Sequence, residues 1–145
     1  MINRRNLLLL AVGTALGGAL SYPLMSPAFG GTTFDAPTTY EKLSAGEILL
    51  IDIRRPDEWA ATGTAKGAIR LDLRRDDFIA ELKAIAGQDY NRPIALICAR
   101  GIRSARTARL LEQNGFTNII NVPEGMLGSS EGPGWIARGL PLTRT

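Results

Sequence analysis

The chain predicts an α/β sandwich, a central and mainly parallel sheet flanked by helices. Three observations carry that expectation. From residue 40 onward, short apolar runs that read as buried strands alternate with amphipathic segments of helical period. The chain has 145 residues, the size of one domain with a single core. It holds one cysteine, so no internal disulfide can substitute for that core.

Residues 29–39, rich in Gly, Thr and Pro, read as an extended lead-in. Residues 40–45 suggest a short helix and residues 48–53, Ile-Leu-Leu-Ile-Asp-Ile, a buried strand. Residues 56–60 follow as a helix with Pro56 in its first turn, where the missing N–H costs nothing. A short strand over 68–71 precedes a helix over 76–86, whose apolar positions are Phe78, Ile79, Leu82 and Ile85 and which Gly87 closes. The strand 94–98, a helix over about 102–113 ended by Asn114-Gly115, and a short strand 118–122 complete the alternation. The tail is less regular. No internal repeat, low-complexity tract or second domain is evident.

The N-terminus carries a different message. Arg4 and Arg5 precede an uncharged stretch over 7–20, then small residues ending at Ser26-Pro27-Ala28, the layout of an export signal over residues 1–28. Arg4-Arg5 followed by Asn6-Leu7-Leu8 resembles a twin-arginine signal, and paired basic residues also occur in ordinary Sec signals. The stretch is short for a bilayer span of about 20 residues and contains Gly13, Gly17 and Gly18, so cleavage is expected over anchoring. The expected location is the bacterial periplasm, or the inner membrane if residues 7–20 stay as an anchor. Losing Arg4 and Arg5 lowers the formal charge from +3 to +1, and so balanced a domain gives no support to a nucleic-acid partner.

Chemistry concentrates at Cys98. It ends an apolar run and is followed by Ala99-Arg100-Gly101-Ile102-Arg103-Ser104 and a helix. A strand that passes through a Gly-containing turn into a helix aims unpaired backbone N–H groups at one spot. The helix dipole, Arg100 and Arg103 favour a thiolate there, and the thiolate is the nucleophile. No separate base is required, which matters because the chain has no histidine. Cys-His and Ser-His pairs are thereby excluded, and a zinc centre has no suitable donor set. Arginines recur at 100, 103, 106 and 109; Arg106 and Arg109 suit a solvated helix face. Arg100 and Arg103, at a helix start where the dipole disfavours cations, make sense if an anion occupies the loop.

The chain resembles the rhodanese-like sulfurtransferase family over about residues 40–142. Leu50-Ile51-Asp52-Ile53-Arg54-Arg55-Pro56-Asp57-Glu58-Trp59 looks like its Asp-x-Arg-x-x-x-Glu-aromatic segment. Residues 98–105 look like its active-site loop and 110–119 like the helix and strand after it. Glu124-Gly125-Met126, Gly134-Trp135 and Gly139-Leu140-Pro141-Leu142 resemble its closing segment. One departure stands out: where the family commonly has Gly-His-Ile-Pro-Gly-Ala, this chain has Gly63-Thr64-Ala65-Lys66-Gly67-Ala68. The resemblance implies a rhodanese-like three-layer sandwich over residues 40–145 and a loss at Thr64 that affects packing more than chemistry.

It also implies a persulfide mechanism without a cofactor or metal. Cys98 would attack the outer sulfur of a small anionic donor such as thiosulfate, release sulfite and pass the sulfur to a thiol, cyanide or protein acceptor. The backbone N–H groups of Ala99, Arg100, Gly101, Ile102 and Arg103 would hold the persulfide, and Arg103 with Arg100 would orient the donor. Ser104 would cap the helix or hydrogen-bond the loop. Asp52 and Arg54 read as a structural ion pair or as support for the loop, while Glu58, Trp59 and Trp135 read as core and helix-face residues. A protein-fed sulfur carrier or a binding module is the alternative. A cysteine phosphatase or arsenate reductase fits less well, because such enzymes place the loop arginine where Ser104 stands, one residue beyond Arg103. A monomer is the default expectation.

Overall fold

The computed structural model describes residues 29–144. The predicted export segment, 1–28, lies outside the described residues. Five strands form one parallel sheet in the order β1-β6-β5-β2-β4, where β1 is Thr32–Thr33, β2 Leu49–Asp52, β4 Ile69–Arg70, β5 Ile94–Ile97 and β6 Ile119–Asn121. The predicted α/β sandwich with helices on both sides of the sheet is the fold observed.

Strands buried on both faces need apolar residues at every position, and β5 is buried throughout. Its residues divide between two cores. Ile94, Leu96 and Cys98 join Ile51, Ile53, Ile119 and, from helices α3 (Phe78–Ile85) and α4 (Ile102–Gln113), Phe78, Leu82, Ala108 and Leu111. Ala95 and Ile97 face the other way, against Leu50, Ile120, Val122, Met126, Trp135 and Ala36 of helix α1 (Ala36–Ser44). Trp135 is fully buried, stacks edge-on with Tyr40 at 5.9 Å and donates its indole N–H to the Pro141 carbonyl at 2.9 Å.

Three departures from the sequence reading have local causes. Helix α1 begins at Ala36, inside the stretch read as extended lead-in. The Asp35 carboxylate accepts the Thr38 N–H at 2.8 Å, and Pro37 fits the first turn. Thr32 and Thr33 pair with Ile120 and Asn121, so the lead-in also supplies an edge strand. In the tail, β7 (Leu142–Thr143) pairs antiparallel with β3 (Thr64–Ala65), a contact between segments far apart in sequence.

One buried carboxylate ties the tail to the front of the fold. Glu124, fully buried, accepts from the Ala36 N–H at 2.6 Å, the Gly134 N–H at 2.7 Å and Arg138 Nε at 2.8 Å. Ala36 is the first residue of α1, so the carboxylate satisfies an orphan helix donor and meets the positive end of its dipole. Burial works to raise the Glu124 pKa, yet the bonds from Arg138, Ala36 and Gly134 together hold it below its usual range. A depressed carboxyl stabilises the fold above its unfolded pKa, and that contribution fades as pH falls through the lower folded value. Glu124→Ala is expected to lower stability by about 3 kcal/mol, because two amides and a guanidinium lose their acceptor. Urea unfolding should show an earlier midpoint with an unchanged slope. The gap between variant and parent should narrow in acid.

Candidate active site

In a parallel sheet the carboxyl ends of the strands open onto one edge, and ligands bind there. Three adjacent strands, β2, β5 and β6, deliver to that edge Asp52, Cys98 and the segment that begins at Val122. Cys98 follows the last residue of the central strand β5 and is 1% exposed.

Its sulfur receives the Gly101 N–H at 3.2 Å and the Ser104 N–H at 3.4 Å, and lies 3.4 Å from Ser104 Oγ. Ser104 Oγ also lies 3.1 Å from the Gly101 carbonyl, which can only accept. One hydroxyl proton thus serves two acceptors. Beside a thiol it bonds the carbonyl and takes the S–H proton as acceptor; beside a thiolate it is free to turn to the sulfur. Ser104 therefore hydrogen-bonds the loop, while Gly101 stands at the N-cap position with no side-chain cap.

The loop keeps its amides available because its carbonyls are bound elsewhere. The Met126 N–H donates to the Cys98 carbonyl at 2.9 Å and the Leu127 N–H to the Ala99 carbonyl at 2.8 Å. The peptide bonds among the described residues are trans, so each pinned carbonyl turns the next residue's N–H, of Ala99 and then Arg100, away from that segment. Ile102 and Arg103 open α4, where amides have no intrahelical acceptor. The approach of the two segments is close enough to demand glycine on both. A Cβ on Gly101, whose φ is +83°, would stand 2.0 Å from the Pro123 carbonyl oxygen; one on Gly125 would stand 2.4 Å from that of Ala99.

The two arginines are engaged by the protein itself. Arg103 forms a two-pronged ion pair with Glu58, at 2.8 Å and 2.7 Å, and Arg100 Nη1 donates to the Gly128 carbonyl at 3.1 Å. The anion inferred from a cation at a helix start is thus supplied, for Arg103, by Glu58. Arg103 brings the Glu58 carboxyl down to about 2, against an opposing effect of burial and with help from the Arg55 N–H. The sequence places Glu58 among core and helix-face residues; only the Asp-x-Arg-x-x-x-Glu spacing hints at more, since its partner lies 45 positions away.

Asp52 and Arg54 are buried together, with Arg54 Nη2 2.8 Å from Asp52 Oδ2. Every guanidinium N–H of Arg54 has an acceptor. Nε faces Asp52, Nη1 reaches Thr62 Oγ1 at 2.9 Å and the Glu58 carbonyl at 3.4 Å, and Nη2 reaches Asp52 and the Gly63 carbonyl at 2.7 Å. A pair so enclosed has no donor left for substrate, and it locks helix α2 (Pro56–Thr62), which carries Glu58, onto the end of β2. Thr64, where the resembled family commonly has histidine, enters the same network. Its hydroxyl lies 3.4 Å from Asp52 Oδ2 and accepts Arg70 Nε at 2.9 Å.

Gly101→Ala should cost about 2–3 kcal/mol, from the unfavourable φ and from a Cβ that backbone must move to admit. Urea unfolding gives the loss. Slower alkylation of Cys98 in the folded variant would report the displaced loop.

Comparison with known proteins agrees with this fold. The profile of the Rhodanese-like domain family matches residues 35–131. The polysulfide-sulfur transferase homodimer of Wolinella succinogenes is 29% identical, with a TM-score of 0.60 over 77% of each chain. A rhodanese-related protein of Thermoplasma volcanium is 28% identical, with a TM-score of 0.56 over 79% of this chain and all of its own. A tRNA uridine(34) hydroxylase of Acinetobacter baylyi is 32% identical over 99 residues, 67% of this chain but only 31% of the hydroxylase. A match over most of the described domain, a parallel sheet of the same fold and a cysteine in an amide-lined loop at its carboxyl edge place this chain in the rhodanese-like domain family.

Proposed function

We propose that the protein is a sulfurtransferase that carries sulfane sulfur as a Cys98 persulfide, from a small anionic donor such as thiosulfate to a thiophilic acceptor. Family membership and the likeness to a polysulfide-sulfur transferase support the sulfur-transfer class. The observation that carries the finer reading is the surroundings of Cys98 Sγ: two amide donors and a hydroxyl within 3.4 Å, and no histidine anywhere in the chain. Such a site stabilises negative charge on sulfur without a proton acceptor of its own.

The step balances without an outside oxidant. The Cys98 thiolate attacks the outer sulfur of thiosulfate, a new S–S bond forms, and the donor S–S bond breaks with its electron pair leaving on sulfite. An acceptor thiolate or cyanide then attacks the outer persulfide sulfur and returns Cys98 as thiolate. The loop amides serve both half-reactions, since each moves charge across the same sulfur atoms. We place this activity in the periplasm, on the export signal read in residues 1–28.

A second reading, a carrier loaded by another protein, draws on the rim. Ile102 is 62% exposed and Leu127 43%, apolar side chains on the loop and on the segment that pins it. The hydroxylase activity in the name of the Acinetobacter relative belongs to a protein of which this chain matches 31%.

Intact mass after incubation with excess thiosulfate should show one added sulfur on the parent and none on Cys98→Ser. Cyanide should then discharge it as thiocyanate. Absence of the gain with thiosulfate, together with loading by a protein persulfide, would favour the carrier. A second expectation concerns pH. Arg103 holds the Glu58 carboxyl at about 2, so this carboxylate should contribute no pH dependence to sulfur transfer across the neutral range, and a steady-state pH profile checks it.

A further inference from the structure

We propose that Glu58 is a positioning residue that fixes Arg103 at the mouth of the Cys98 loop and, by cancelling its charge, biases the site toward sulfane-sulfur donors with one negative charge over dianionic ones. The inference rests on the sulfur-transfer reading above and names its donor class.

The placement of Glu58 supports this. Its two oxygens take both terminal nitrogens of Arg103, at 2.7 Å and 2.8 Å, in the planar fork that fixes a guanidinium in position as well as charge. The carboxylate is itself held. Oε2 accepts the Arg55 N–H at 3.0 Å, and the helix that carries it is tied down by Arg54 through the carbonyls of Glu58 and Gly63 and the hydroxyl of Thr62. Arg103 cannot swing to meet an incoming anion without breaking this pair.

The charge count follows. Arg100 and Arg103 are the cations of the loop, and Glu58 and a Cys98 thiolate oppose them; Arg55, whose Nε lies 3.5 Å from Glu58 Oε2, is itself paired with Asp57 at 3.1 Å and adds one charge of each sign, so the formal sum at the mouth is zero once the sulfur is ionised. Arg100 is exposed and directed to the Gly128 carbonyl. A dianion approaching such a mouth meets the Glu58 and thiolate charges with twice the repulsion felt by a monoanion, and no surplus of positive charge offsets it. Arg103 keeps N–H groups beyond the two given to Glu58, enough to orient one oxygen-bearing group.

Thiosulfate and methanethiosulfonate make a matched pair of probes. Each transfers its terminal sulfur to the Cys98 thiolate; the first releases sulfite with charge −2, the second methanesulfinate with charge −1. Steady-state kcat/KM with cyanide as acceptor would be measured for the parent, Glu58→Gln and Glu58→Asp, with thermal melts to establish that each is folded. The parent should favour methanethiosulfonate. Glu58→Gln should move the thiosulfate-to-methanethiosulfonate ratio about tenfold toward thiosulfate, chiefly through KM, and added salt should shrink the change. Glu58→Asp, which keeps the charge, should lower both rates and leave the ratio with the parent. An unchanged ratio in Glu58→Gln, while both donors still turn over, would overturn the inference and leave the sulfur-transfer reading standing. Failure of the parent to transfer sulfur from either donor would remove that reading, and this inference with it.

Discussion

The structure depends on the pinning of one loop by another. A cradle for a charged sulfur needs backbone N–H groups that point at it and are not used elsewhere, yet buried backbone groups left unpaired are costly. The two demands conflict only if N–H and C=O are treated alike. Here the carbonyls of Cys98 and Ala99 are taken by Met126 and Leu127, which commits the acceptors and turns the N–H groups that follow them away from that segment. Two glycines allow the backbones to meet, and Glu124 holds the pinning segment against α1 and the 134–138 turn. The geometry around Cys98 is therefore assembled from the far ends of the domain.

A second set of bonds governs the charges. Asp52 and Arg54 form a buried pair whose cost is offset because every guanidinium N–H finds an acceptor. Its acceptors include the carbonyl of Glu58 and that of Gly63, at the end of the same helix, so the pair sets where α2 sits and hence where the Glu58 carboxylate meets Arg103. Thr64 contributes an uncharged hydroxyl to this network. Where histidine would bring an ionisable ring, threonine brings none.

Stability and chemistry meet at Cys98 itself. It is a core residue, packed with Leu96, Ala108 and Leu111, and its sulfur is also the atom at which the loop amides converge. Packing limits the freedom of the thiol, so the sulfur is held by the same apolar contacts that hold the sheet to α4. Ser104 adds a proton that can follow the charge on sulfur without moving the backbone.

Much of this was legible in the sequence because it is local. Unbroken apolar runs marked β2 and β5, helical periodicity marked α3 and α4, and the order strand, cysteine, glycine, helix announced a cradle of amides. The Asp35 cap and Pro37 were present as signals for an earlier start to α1, but the Gly-, Thr- and Pro-rich composition around them suggested extended chain. The roles of Arg100 and Arg103 were not legible. A sequence gives a cation its neighbours along the chain, whereas its partner is chosen by which strands lie side by side. Only the order β6-β5-β2 sets Glu58 across from Arg103 and Gly128 beside Arg100. By itself the sequence determined the fold class and marked Cys98 at the head of a glycine turn and a helix, since periodicity and turn chemistry act over a few residues. Tertiary structure decided which charges face that atom, because Coulomb interactions depend on distance in space and not along the chain.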